Sequence, residues 1–220
     1  MESEVVQAVA DYTESVLGQE GFRYISAVVA TCKMLALELE NEGEEADKLQ
    51  SEGEEASKPN MEALVLSAYL HNISTIEFGF QDHHVKSAEM AVEFLKKQQA
   101  ADDLVACVEE TLLAHTTTLP PDERTTLPLE ARIVYDADKL GRLSGLAVVT
   151  SLIEFGARYP NRAVNGEVLS AILRHIEERF VELFQSLNTT PARAMAREKF
   201  GNTLAFLDGV IEHLSDATPI

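Results

Sequence analysis

The stretch MEALVLSAYLHNIST, residues 61–75, runs apolar from Met61 to Leu70 and turns polar at His71-Asn72. Ten residues without a polar face predict a helix buried on all sides rather than one lying at a surface. Such a helix belongs at the centre of a core, with the other elements around it. His71 and Asn72 then fall at its C-terminal end, where the chain leaves the helix and two neighbouring side chains can converge. A histidine beside a short polar residue there is a way to begin a metal site. A carboxylate would be a much better ligand than the amide of Asn72, so the stretch reads as a metal-site seed that is present and altered.

Outward from this helix, three-and-four spacing of apolar residues predicts further helices. Val5, Val6, Val9, Tyr12, Val16 and Leu17 mark one that ends near Gly18, and Ile25 through Leu39 mark a second from about Phe22 to Glu40. The segment STIEFGFQDHH reads as a loop over a pocket. Helix resumes near Val85, again over 101–115, and from Leu129 to Ile153, separated by the proline-containing loop Thr116–Pro128. A break around Pro160–Gly166 precedes two amphipathic helices, about 167–187 and 191–214. No segment has the period-two alternation of a strand. The expected class is all-α, an irregular bundle of eight or so helices in a single domain over 1–220.

Between residues 41 and 60 lies an internal duplication, in which NEGEEADK (41–48) and SEGEEASK (51–58) are near-copies. Neither copy has an apolar face, so the pair reads as an expanded, solvent-facing acidic connector. It contributes to a formal net charge of −19, which repels polyanions and disfavours nucleic acid and anionic membrane surfaces as partners. At 45% hydrophobic and 25% charged residues the composition is that of a globular protein. Cys32 and Cys107 sit in apolar runs and are expected as buried thiols rather than a disulfide. Without a signal-like N-terminus or an apolar run of about 20 residues, the chain reads as soluble and cytoplasmic.

His71, His83, His84, His115 and the pair Asp136 and Asp138 are the candidate ligands, followed at once by Lys139 and by Arg142. Loop-edge histidines with a downstream aspartate suggest a pocket for one or two divalent ions, used by hydrolases to acidify water and neutralise phosphate.

The order AYLHNIST, HHVKSAEMA, LLAHTT and VYDADKLGRL resembles the HD superfamily of metal-dependent phosphohydrolases, over roughly residues 20–185. The family is named for a His-Asp pair at the end of a buried helix. The resemblance implies that the pair falls on His71 and Asn72, the later aspartate on Asp138 in preference to Asp136, the added histidines on His84 and His115, and the early histidine on Tyr24. Two ligand positions, Tyr24 and Asn72, are therefore altered. His71 and Asp138 would carry the chemistry, with metal held by His71, His84, His115 and Asp138, and Lys139 and Arg142 facing phosphate. His83 is expected outside that set. Two readings follow. One is a hydrolase of a small phosphorylated compound or nucleotide with an altered, mononuclear centre of manganese, iron, nickel or magnesium. The other is a catalytically inactive relative that binds a small ligand or a protein partner, its metal lost. The oligomeric state is open.

Overall fold

A computed structural model describes residues 3–49, 58–117, 120, 123–143, 145–160 and 166–216, with no strand among them. The fold is all-α. Its helices are α1 (Glu4–Leu49), α2 (Met61–Leu70), α3 (Thr75–Phe78), α4 (His83–Lys97), α5 (Asp102–Ala114), α6 (Leu129–Arg142), α7 (Gly145–Arg158), α8 (Gly166–Ser186) and α9 (Thr190–Asp216). They divide into two compact units, one of residues 1–138 with 188–191, the other of 139–187 with 192–220.

In the first unit, α2 is the central element. Ala63, Leu64, Leu66, Ala68 and Leu70 are wholly shielded from solvent, and α2 packs against α1, α4 and α5. Its start is fixed by Asn60, whose side-chain oxygen accepts a hydrogen bond from the Ala63 N–H at 3.1 Å. The two N-terminal helices expected from periodicity are the two legs of α1. Gly18, at φ 70 and ψ 174, breaks the helical geometry between them, a conformation that favours glycine. The second leg buries Ile25, Val28, Val29, Cys32, Leu35 and Ala36, and it continues to Leu49, past the end expected near Glu40. The first copy of the acidic duplication, expected as part of a connector, thus lies wholly within helix. Residues 50–57, most of the second copy, lie outside the described residues. Tyr12 stacks on Phe94 at 4.1 Å between ring centroids, which ties α1 to α4.

The segment read as a loop contains one helical turn, α3, closed by Gly79 at φ 73. Asp82 at φ 52 then turns the chain into α4, which begins at His83, two residues earlier than Val85. Parts of the Thr116–Pro128 loop and of the break near 160–166 lie outside the described residues. Within the former, Arg124–Thr126 forms a single 3-10 turn. The predicted helix 129–153 is two helices, α6 ending at Arg142 and α7 starting at Gly145. α7 starts on Gly145, a residue of poor helix propensity, and the apolar residues on either side hide that boundary in the periodicity.

In the second unit, α7 packs on α8. Phe184 of α8 stacks on Phe200 of α9 at 5.1 Å, and the Arg193 guanidinium donates twice to the Leu187 carbonyl, at 3.0 and 2.9 Å. Both cysteines are free thiols. No helix among the described residues is long and apolar enough to cross a membrane.

Candidate metal centre

The polar interior of the first unit is built from the ends of its buried helices. His71 caps the C-terminus of α2 and His115 that of α5. The last carbonyls of a helix lack intrahelical partners, and each histidine supplies one. His71 Nδ1 donates to the Ala68 carbonyl at 2.8 Å and His115 Nδ1 to the Leu112 carbonyl at 2.6 Å. His83, at the start of α4, makes the same bond three residues back, to the Phe80 carbonyl at 2.9 Å. A ring that donates through Nδ1 presents Nε2 as a lone pair, the tautomer in which histidine binds metal or accepts a proton.

These rings are neighbours. The His115 ring lies edge-on to His71, with centroids 5.6 Å apart, and to His83, 5.5 Å apart. Ser74 helps to hold His83 there, because its hydroxyl donates to the His83 carbonyl at 3.0 Å and stands 3.0 Å from the Ser87 hydroxyl on α4. The sequence suggested His84 as ligand and His83 as bystander. The ring beside His115 belongs to His83, while His84 is half-buried with its ring 6.1 Å from that of His83. Adjacent histidines point apart on a helix, and nothing in the sequence says which one faces inward.

Asp138 is buried on α6, with Oδ1 at 3.9 Å from His71 Nε2. The two positions that the resemblance marks as altered are here as well. The Tyr24 hydroxyl donates to the same Oδ1 at 2.6 Å, and the Asn72 amide nitrogen donates to His71 Nε2 at 2.9 Å. Asp136 has a different role. Its Oδ1 accepts from the backbone N–H and side-chain amide of Asn188, at 2.7 and 3.1 Å, and its Oδ2 from the N–H and hydroxyl of Thr189, at 2.8 and 2.7 Å. Lys139 and Arg142 follow on α6 and belong to the second unit.

Burial pushes the His115 imidazole down to about 3, with nearby His71 adding to the effect, and burial also lowers His83. Both rings are neutral near pH 7, beside a carboxylate. That combination receives a cation better than a phosphate. The thiol of Cys32 is pushed far up by burial, with the charges of Asp136 and Asp138 adding to the effect, and is inert as a nucleophile. Burial also raises Asp136, against the four hydrogen bonds that pull it down.

His115 Nε2 is buried with no hydrogen-bond partner among the described residues, an uncommon condition for a polar atom in a core. With Nδ1-anchored imidazoles and one carboxylate, the donor chemistry fits a single divalent ion. A second ion would call for a further carboxylate, and the residue beside His71 is the neutral amide of Asn72. As placed, no three His, Cys, Asp or Glu side chains among the described residues form an assembled coordination shell. A groove lined by Ala106, Glu109, Leu113 and Pro128 opens along α5 and includes none of these groups.

The HD domain family model matches residues 26–143, more than half of the chain, and the chain belongs to that family. Among solved structures, it is similar to an HD-superfamily hydrolase from Bacillus thuringiensis at 15% identity and TM-score 0.67, over 97% of this chain and 98% of that one. The Lin1889 protein of Listeria innocua is similar at 15% identity and TM-score 0.64, over 98% of both chains. Bacillus subtilis YpgQ in complex with ADP is similar at 16% identity and TM-score 0.57, over 94% of this chain and 93% of that one. At these identities the likeness is one of fold. No curated protein sequence matches.

Proposed function

We propose that this chain is a phosphohydrolase of a small phosphorylated compound or nucleotide, with an altered centre that takes one ion in place of two. The carrying observation is the buried, unpartnered Nε2 of His115, which points to a ligand that supplies its missing partner. His71, His115 and Asp138 would hold the ion. His83 joins them in preference to His84 because its ring is the one beside His115. When bound, such an ion supplies Lewis acidity toward a phosphoryl oxygen. The backbone carbonyls of Ala68, Leu112 and Phe80 keep the three Nε2 lone pairs directed. Lys139 and Arg142 are proposed phosphate contacts on the grounds of sequence. Phe80, 69% exposed and edge-on to His83 at 5.9 Å, offers a face to a nucleobase. The ADP bound by YpgQ supports a nucleotide as the class to try first.

Elemental analysis of the purified protein, with a screen of nucleotides and phosphomonoesters in manganese, nickel or iron, tests the reading. Stoichiometric metal and turnover are expected, both lost in His71→Ala and Asp138→Ala. A second reading, a catalytically inactive relative that binds a small ligand or partner, draws support from the hydrogen bonds by which Tyr24 and Asn72 occupy Asp138 and His71. It predicts turnover only after Tyr24→His with Asn72→Asp.

A further inference from the structure

Tyr24 and Asn72 are more than missing ligands. They form one chain of contacts with two of the proposed ligand atoms: the Tyr24 hydroxyl on Asp138 Oδ1 at 2.6 Å, that oxygen 3.9 Å from His71 Nε2, and the Asn72 amide on the same Nε2 at 2.9 Å. His71 Nδ1 is committed to the Ala68 carbonyl, so Nε2 offers a single lone pair, and the Asn72 N–H already points at it. A cation reaching that nitrogen displaces an N–H donor, and one reaching Oδ1 displaces a phenol. From this geometry we infer that Tyr24 and Asn72 are internal competitors for the ion, holding Asp138 and His71 in its absence and setting the affinity of the site.

The inference rests on the cluster being a cation site. Its physical basis is exchange. Each donor stabilises the metal-free state and not the metal-bound one, so its removal shifts binding by the differential interaction alone. A hydrogen bond to a carboxylate is among the stronger neutral-donor contacts, and that of Asn72 lies at a site already half-buried. The competing donors leave the carboxylate and imidazole satisfied inside the core, which allows the fold to persist without metal.

Manganese(II) titrated calorimetrically into metal-free wild type, Tyr24→Phe and Asn72→Leu tests this. Each substitution is expected to tighten binding about tenfold, equivalent to about 1.4 kcal/mol, with no rise in the unfolding temperature of the metal-free protein. Tyr24 is 40% exposed, so its phenylalanine variant keeps the fold. The chain has no tryptophan, so its tyrosine emission is directly readable. Emission quenched by the carboxylate contact is expected to recover on metal addition in wild type and to show no such change in Tyr24→Phe. Weaker binding in Tyr24→Phe would show the phenol to be a ligand and overturn the inference, and so would unchanged affinity in both variants. If neither wild type nor variants take up the ion, the cation reading itself falls and the inference with it.

Discussion

Asp136 and Asp138 stand two residues apart on one helix and serve two regions of different kinds. Residues two apart on a helix face opposite ways. Asp136 meets the segment that leads into α9, where four donors from Asn188 and Thr189 saturate its oxygens. Asp138 meets the histidine cluster, where a phenol and an imidazole reach one oxygen. The first region is closed in hydrogen bonds. The second keeps a buried lone pair, at His115, with no partner among the described residues. Closure marks a carboxylate that holds the chain together, whereas the other faces a histidine cluster in which one buried nitrogen is unsatisfied among the described residues.

The sharpest way to break this contrast is to remove each carboxylate in turn. Asp136→Ala leaves two backbone N–H groups, an amide and a hydroxyl without their acceptor, and is expected to cost about 3 kcal/mol or more in urea unfolding. Asp138→Ala is expected to cost about 1 kcal/mol, because the Tyr24 phenol that donates to it belongs to a residue 40% exposed and can turn to water, while abolishing metal uptake. Equal losses of stability would erase the distinction.

Acid should act mainly through the second region. Burial holds the folded-state value of His115 at about 3 against an ordinary 6.5. The unfolded chain therefore binds a proton in that interval and the folded chain does not. The stability contributed by the neutral ring is complete above pH 6.5 and is lost as pH falls toward 3, by about 1.4 kcal/mol per pH unit. The urea midpoint measured against pH is expected to slope in this window, and to slope less in His115→Leu. An unchanged slope in that variant would mean that other groups carry the acid response.

The smallest effect tests the scaffold on which both regions depend. Asn60→Ala removes the cap of α2 and is expected to cost about 1 kcal/mol, with metal affinity unchanged. A loss of affinity would show that the helix start, and not only its end, positions His71.

Much of the cluster was legible in the chain because of what surrounds its residues. His71 and His115 each close an apolar run, and a histidine at the end of a buried helix has carbonyls to satisfy and a core to face. The choice of Asp138 over Asp136 rested on resemblance, and the two side chains have different neighbours, Asn188 and Thr189 for Asp136 and Tyr24 and His71 for Asp138. His83 could not be told from His84, since both begin the same helix and only the packing of α4 against α5 selects one ring. The split of 129–153 into α6 and α7 was hidden because apolar periodicity continues through a weak helix boundary.

By itself the sequence determined the all-α class and the burial of 61–70, because each is a matter of residue type and short-range period, while Tyr24 and Asn72 were marked only by resemblance. Only the tertiary structure decided that these two positions are hydrogen-bonded to Asp138 and His71. Tyr24 and Asp138 are 114 residues apart in the chain, and such a contact is set by how helices pack, which no local pattern encodes.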